Sequence, residues 1–366
     1  MKIVLLGNTG LSIYIFRMEL LERLLSMGHE VHVVTPADDY LEIMSKMGCQ
    51  CHTINIDRHG TNPFKDALVI FNYKRIFEKI RPDIVFSYTI KPNIYGSIAC
   101  RLLKIPIVVN ITGLGTAVEH KGWKQLIALL LYRFSLKNVR TIFFQNQDNM
   151  NFFIKNDLFP EKHKLLPGSG VNLTRFTYKE YPSDDTINFV FISRLMKEKG
   201  IDQYLEAAEY ITKKYPNTRF HICGFCEKEY EVKLEALKNN SAIIYHGMVK
   251  DVNSILPQMH CTVHPTYYPE GLSNVLLESL AVGRPIITTD RAGCREIVED
   301  GVNGFVVIQR DSEDLINKIE RFLSLSNATR EEMGKAGRAK VEREFDRNIV
   351  VSQYIEIVKQ SQQMSS

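Results

Sequence analysis

Short, almost continuous apolar runs alternate along this chain with longer segments whose apolar residues recur every three or four positions. In the first half the runs are KIVLLG (2–7), EVHVVTP (30–36), CHTINI (51–56), DIVFSY (83–88), IPIVVNI (105–111) and TIFFQN (141–146). The helically spaced segments between them are 16–28, 64–82, 93–104 and 123–138. Strands that are apolar on both faces and separated by helices predict a parallel sheet covered on both sides, a doubly wound α/β fold. The alternation then restarts. INFVFIS (187–193), TRFHIC (218–223), AIIYHG (242–247), MHCTVHP (259–265), PIITTD (285–290) and GFVVI (304–308) predict a second set of strands, with helices at 201–216, 227–239 and 273–282. The polar, proline-containing TYKEYPSDDT (177–186) reads as the linker, and 348–360 as a last helix. The expected organisation is an N-terminal Rossmann-like domain at 1–180 and a C-terminal one at 181–347. A helix within 348–366 returns to the first domain, and the two domains face one another across a cleft.

At 366 residues, 45% hydrophobic and 24% charged, the composition is that of a soluble globular chain with room for two cores. The apolar run at the N-terminus is too short for a signal-peptide core, and LIALLLY (126–132) is too short to span a bilayer. Seven scattered cysteines fit reduced thiols, so the expected compartment is the cytoplasm. Charge changes this picture. Residues 1–180 hold 23 Lys and Arg against 15 Asp and Glu, net +8, and residues 181–366 hold 23 against 27, net −4. The excess concentrates at 101–140, where Arg101, Lys104, Lys121, Lys124, Arg133, Lys137 and Arg140 meet one acid, Glu119. An anionic partner of the first domain is implied.

Candidate chemistry gathers after strands of the second half. In SRLMKEKG (193–200), Arg194 and Lys199 follow a buried strand, the fork and the point charge that grip a diphosphate; two solvated loop charges would look the same. HGMVKDV (246–252) exposes backbone around Met248 and Val249 that can read a nucleobase edge. In PEGLSNVLLESLAVGRP (269–285) a Glu-Gly turn precedes an apolar helix capped by Ser273 or Asn274, and the first turn of such a helix attracts anions. Glu270 precedes that turn. Glu278 falls in an apolar run that reads as buried all round, where a carboxylate is costly without a partner. The spacing itself carries little, since Glu22/Glu30, Glu198/Glu206 and Glu227/Glu235 share it.

Together, residues 187–308 resemble the nucleotide-sugar half of the retaining glycosyltransferases of family 4, which have the GT-B fold. The resemblance implies that Arg194 and Lys199 hold a donor diphosphate, Glu278 the ribose, and Glu270 the hydroxyls of the transferred sugar. The turn Gly271, Leu272, Ser273 and Asn274 caps sugar and phosphate. In the first domain the match is looser. Gly10 stands where the family has a glycine-rich loop by the donor phosphate, with Arg17 within reach of a phosphate. Thr112 and Gly113 stand where many members carry a histidine beside the reacting sugar, and no histidine is present here. The variant is similar to bacterial transferases, including N-acetylgalactosaminyl types, that extend undecaprenyl-diphosphate-linked glycans in capsule and O-antigen assembly. The implied reaction uses a UDP-linked sugar as co-substrate with no cofactor and no metal, and nucleic acid is not an expected partner.

A nucleotide-sugar 2-epimerase of the same fold, an NAD-dependent oxidoreductase and a non-catalytic lectin are the competing classes. The LGNTG loop lacks the full glycine fingerprint for NAD. Cys223-Gly-Phe-Cys226 admits a redox reading, although it falls at a glycine turn with no second pair for zinc. Trp123, Lys124, Arg133 and Lys137 lie on a basic amphipathic stretch expected to rest on anionic lipid, placing the protein at the inner face of the cell membrane; an ordinary sheet-covering helix is the alternative.

Overall fold

The structure is a computed structural model and describes residues 1–56, 63–115, 118, 122–237 and 240–365. Glu119 and Lys121, named above in the basic stretch, lie outside the described residues. The chain divides into two compact units. Unit 1 holds Met1–Ser169, Glu270–Leu272 and Arg347–Ser366; unit 2 holds Gly170–Pro269 and Ser273–Asp346.

In unit 1 the described strands are β1 (Lys2–Leu6), β2 (Glu30–Thr35), β3 (Gln50–Thr53), β4 (Ile84–Tyr88), β5 (Ile107–Ile111), β6 (Thr141–Phe144) and β7 (His163–Leu165). They lie in the order β3-β2-β1-β4-β5-β6-β7, all parallel. The helices are α1 (Gly10–Ser26), α2 (Tyr40–Lys46), α3 (Pro63–Ile80), α4 (Ile90–Leu103), α5 (Trp123–Ser135) and α6 (Gln147–Lys155). Alternation along β1 sorts the core: Val4 and Leu6 pack with α3 and α4, Ile3 and Leu5 with α1 and α2. The central strands are therefore apolar on both faces, as the continuous runs predict, whereas the edge strands β3 and β7 are polar and partly exposed.

Unit 2 repeats the plan with β8 (Ile187–Ile192), β9 (Thr218–Cys223), β10 (Ile243–Tyr245), β11 (Cys261–His264), β12 (Ile286–Thr289) and β13 (Gly304–Val307). Their order is β10-β9-β8-β11-β12-β13, again all parallel. Its helices are α7 (Ile201–Lys214), α8 (Lys228–Leu237), α9 (Asn274–Ala281), α10 (Ser312–Leu323) and α11 (Asn327–Glu344). The final helix, α12 (Arg347–Ser365), is part of unit 1 and packs on α1. Arg347 anchors its start, with Nη1 2.9 and 3.0 Å from the Glu19 carboxylate and 2.9 Å from the Ile15 carbonyl oxygen. Strand order reverses between β1 and β4 in unit 1 and between β8 and β11 in unit 2, where doubly wound sheets bind ligands.

The division differs from the expected one. It falls at Ser169/Gly170, not at 180/181. Val171 N donates to the Phe345 carbonyl at 2.8 Å, and the buried Arg284 guanidinium donates to the carbonyls of Lys179 and Glu180 at 3.0 and 2.7 Å. The 177–186 stretch is thus fastened to unit 2 and is not a free linker. Helix α1 also begins at Gly10, not at residue 16, because Thr9 Oγ1 accepts from Ser12 N at 3.0 Å and caps an earlier turn.

Candidate active site

Three post-strand loops of unit 2 lock to one another beside the β8/β11 reversal. Ser193 N donates to the Cys223 carbonyl, Leu195 N to that of Phe225, and Gly224 N to that of Gly247. Gly224 is obligatory at φ +146°, since a Cβ there would lie 1.8 Å from the Ser193 carbonyl oxygen. That packing accounts for the glycine of Cys223-Gly-Phe-Cys226. Both cysteines are free thiols, and burial pushes Cys223 up to about 11. A reactive thiolate needs the opposite shift.

The framework presents the cations expected for a diphosphate. Arg194 Nε lies 3.6 Å from Glu227 Oε1. Lys199 ends a 3₁₀ turn, Lys197–Lys199, with its ammonium 4.9 Å from the centre of the Tyr268 ring. Gly200 follows at φ +79°, where a Cβ would lie 2.2 Å from the Pro265 carbonyl oxygen, so the turn lies tight against the end of β11. Burial lowers the Lys199 ammonium to about 8, with the thiol of Cys294 acting in the opposite sense and Arg194 in the same sense. Buried His264 is held well below its ordinary value by burial and by Lys199, and so is neutral near pH 7.

Cys294 connects this cation to the start of α9. Ser273, the N-cap residue, donates its N–H to the carbonyl of Gly293 at 2.8 Å, and Glu296 accepts from Gly293 N at 2.7 Å. The Ser273 side chain makes no capping bond, and the first turn carries no acid. The α9 terminus therefore keeps donors that an anion can take. Glu278 is not enclosed on all sides. Asn274, Val275 and Glu278 form a half-exposed strip on α9, while Leu276, Leu277, Ser279, Leu280 and Ala281 are buried. The apolar run hid a helical face, because three consecutive side chains of a helix point in different directions. Met248 is exposed and Val249 half-exposed after β10.

Unit 1 gathers a different set. Glu270, Gly271 and Leu272 belong to this unit, whereas Arg194, Lys199 and Glu278 belong to unit 2. The Asn146 amide donates to the carbonyls of Glu270, at 3.0 Å, and Gly271, while Asn146 Oδ1 caps α6 through Asn149 N. Gly271 is required, since a Cβ would lie 2.3 Å from the Thr112 carbonyl oxygen and 2.4 Å from Gln145 Oε1. Thr112 is thereby brought to Gly271, with half-exposed Gly113 next to it. Sequence reasoning missed Asn146, although QN ending an apolar strand was its signal. Tyr268 was also missed; it directly precedes Pro269 of the Glu-Gly turn.

Two unit 1 expectations need correction. Gly10 does not open space for a phosphate: Asp38 Oδ2 accepts from Leu11 N at 3.1 Å, and a Cβ on Gly10 would lie 2.2 Å from Asp38 Oδ1. A protein carboxylate already occupies the start of α1. Arg17, expected to reach a phosphate, is 4% exposed, its guanidinium 4.4 Å over the Tyr88 ring and Nη1 2.9 Å from the Phe16 carbonyl oxygen.

On α5 the outward face is apolar. Trp123, Leu126, Ile127, Leu130, Leu131 and Phe134 are all exposed, Trp123 by 70%. Lys124 Nζ lies 5.7 Å from the Trp123 ring centre, and Arg133 Nη2 donates to the Asn156 carbonyl at 2.8 Å. Lys137 follows in a 3₁₀ turn, Leu136–Asn138. No described helix is long and apolar enough to cross a membrane.

Comparison with known proteins assigns both halves. Residues 2–146 match the family described as glycosyl transferase 4-like, and residues 176–340 match glycosyl transferases group 1. The chain is 25% identical over 374 residues to N,N'-diacetylbacillosaminyl-diphospho-undecaprenol alpha-1,3-N-acetylgalactosaminyltransferase of Campylobacter jejuni, covering 98% of each. It is 26% identical over 337 residues to the capsular polysaccharide biosynthesis glycosyltransferase CapM of Staphylococcus aureus, covering 88% of this chain and 87% of that one. Among solved structures, Anabaena HepE in complex with UDP and glucose superposes with a TM-score of 0.81 at 17% identity, covering 98% of this chain and all of that one. With one glycosyltransferase family on each half and the same two-sheet architecture throughout, the chain belongs to the GT-B glycosyltransferases of the family 4 type.

Proposed function

We propose that the protein moves a sugar from a UDP-linked donor to a hydroxyl of an undecaprenyl-diphosphate-linked glycan, with retention of anomeric configuration. The carrying observation is the convergence in unit 2 of Lys199, Arg194 and the uncapped start of α9, a set of donors and cations suited to a diphosphate. In this reading Glu278, on the open strip of α9, accepts from the ribose hydroxyls. Glu270 meets the hydroxyls of the transferred sugar, and Met248 and Val249 border the base. Thr112 and Gly113 border the acceptor hydroxyl.

As the bond to the departing diphosphate breaks, charge grows on the phosphate oxygens, and Arg194, Lys199 and the α9 amides stabilise it there. The anomeric carbon becomes oxocarbenium-like. The acceptor hydroxyl attacks the face the diphosphate leaves, and its proton passes to a diphosphate oxygen, so no histidine or carboxylate base is required. Because protein cations neutralise the leaving group, turnover should persist in EDTA. The names of the Campylobacter and Staphylococcus relatives support the lipid-linked acceptor and the capsule-type pathway. The apolar face of α5 with its basic neighbours supports peripheral contact with an anionic membrane, as expected for an enzyme with a lipid-anchored acceptor.

The test is product analysis with purified protein, a panel of UDP-sugars and a detergent-solubilised lipid diphosphate acceptor. Acceptor-dependent release of UDP is expected, with the new linkage axial as in an α-linked donor, so that its anomeric proton is equatorial and couples weakly to H2. Donor consumption without acceptor and without UDP release would favour epimerisation instead.

A further inference from the structure

We propose that the hollow between the end of β3 and the outer face of α3 binds the phosphate of an anionic membrane lipid, giving unit 1 a lipid contact separate from α5. The proposal takes from the reading above only that the protein meets a lipid surface. Thr53, Asn55, Asn72, Arg75 and Lys79 line a hollow of about 330 Å³, and an adjoining one of about 360 Å³ adds His52. Thr53, Asn55, Asn72, Arg75 and Lys79 each offer a hydrogen-bond donor, and no acid lines either hollow among the described residues.

Arg75 and Lys79 stand four residues apart on α3, a like-charge pairing that destabilises a helix unless an anion joins it. The nearby acid, Glu78, flanks the same face one turn from Arg75 and is engaged by Lys74. Neither Arg75 nor Lys79 has an ion-pair partner among the described residues. His52 is held below its ordinary value by burial and then by Lys79, and its Nε2 lies 3.0 Å from His32 Nδ1, so it adds no charge and its one N–H is turned to His32.

A free anion would explain the cations alone. It would not explain Leu68 and Phe71, which are 58% and 59% exposed and precede Arg75 on the same stripe of the helix at positions 68, 71, 72, 75 and 79. Apolar anchors beside a donor-lined hollow match a headgroup phosphate with acyl chains next to it.

The experiment measures binding of the whole chain to phosphatidylcholine vesicles with and without phosphatidylglycerol. The variants are Arg75→Glu/Lys79→Glu and, as a control of equal charge change, Lys46→Glu/Lys74→Glu. At about 1 kcal/mol per basic residue near an anionic surface, the first pair should weaken phosphatidylglycerol binding roughly thirtyfold. The control should weaken it by less than a third as much, and turnover with a short-chain acceptor in solution should be unchanged in both. Equal losses for the two pairs would reduce the effect to general charge and overturn the site. Binding of inorganic phosphate by the wild type, lost in the first pair while vesicle binding is kept, would reassign the hollow to a free anion and also overturn it. Failure of the wild type to prefer phosphatidylglycerol would instead sink the membrane reading on which this rests.

Discussion

Lys199 carries a charge that burial opposes, so its protonation is sensitive to whatever occupies the site. Its ammonium is largely complete by about pH 7 and is lost as pH rises through about 8. UDP affinity of the wild type should therefore fall between pH 7 and pH 9.5, and in Lys199→Ala it should be weaker and nearly flat, as read by calorimetry. Charge-assisted bonds of about 1.5–3 kcal/mol set the loss in kcat/KM of Lys199→Ala at roughly 10- to 100-fold. Stability moves the other way. An unfolded lysine keeps its proton to about pH 10.4, so over the window from 8 to 10.4 the unfolded chain binds more protons and the Lys199 contribution favours the fold increasingly. Glu278 allows a sharper test of partner identity. Glu278→Ala should raise the donor KM about tenfold or more, and a donor lacking the ribose hydroxyls should lose the same factor with wild type. With the variant that donor should lose nothing further, because the paired groups would already be gone. The residue types and their places after strands were legible in the sequence. The half-exposed setting of Glu278, the Asp38 carboxylate over Gly10 and the burial of Arg17 were not, because each depends on which side chain from elsewhere fills the space.

Among the elements, α5 spends its apolar residues on solvent. Large side chains of this kind each gain about 1.5–3 kcal/mol when fully buried. Leu126→Asp/Leu130→Asp should therefore reduce vesicle partitioning by more than tenfold while leaving the thermal midpoint nearly unchanged, since neither side chain is in the core. A fall in the midpoint of several degrees would mean that the face packs on the protein in solution. Strands β1, β4, β5, β8 and β11 were predictable because two-sided burial writes itself as an unbroken apolar run. Helices α10 and α11 were not found. The buried residues of α11 are Arg330, Met333, Gly334, Gly337, Lys340 and Val341, so its packing face is built largely from glycines and paired cations that carry no apolar period. Lys340, for instance, has Nζ 2.6 Å from Glu299 Oε1 and 3.0 Å from Glu344 Oε2. Gly337 admits the Leu280 side chain of α9, which a Cβ would meet at 2.4 Å.

For the whole molecule, the repeated alternation of strands and helices is enough to reveal two sheets, because each crossover between parallel strands needs a helix. Where one unit ends is decided by contacts remote in sequence, and the chain returns to unit 1 with α12. Six side chains of α12, Val350, Val351, Tyr354, Ile355, Ile357 and Val358, are buried in the unit 1 core. Tyr354 packs 5.0 Å from the Phe86 ring and 5.1 Å from that of Phe143, and its hydroxyl accepts from Asn110 Nδ2 at 2.8 Å. At about 1.5–3 kcal/mol each, six such side chains contribute roughly 9–18 kcal/mol, as much as an entire domain usually has to spare. A chain ending at Asp346 should therefore lose the fold of unit 1 and keep that of unit 2, whose core contains nothing from α12. Hydrogen exchange resolves the two: amides of β1, β4 and β5 should exchange within the dead time of the truncated chain, while those of β8 and β11 stay protected. Tyr354→Phe in the full chain is the milder counterpart, costing about 1–3 kcal/mol for the Asn110 amide left without its acceptor. If the truncated chain instead kept protection in β1 and β4, the last helix would be a surface attachment, and the core of unit 1 would be complete without it.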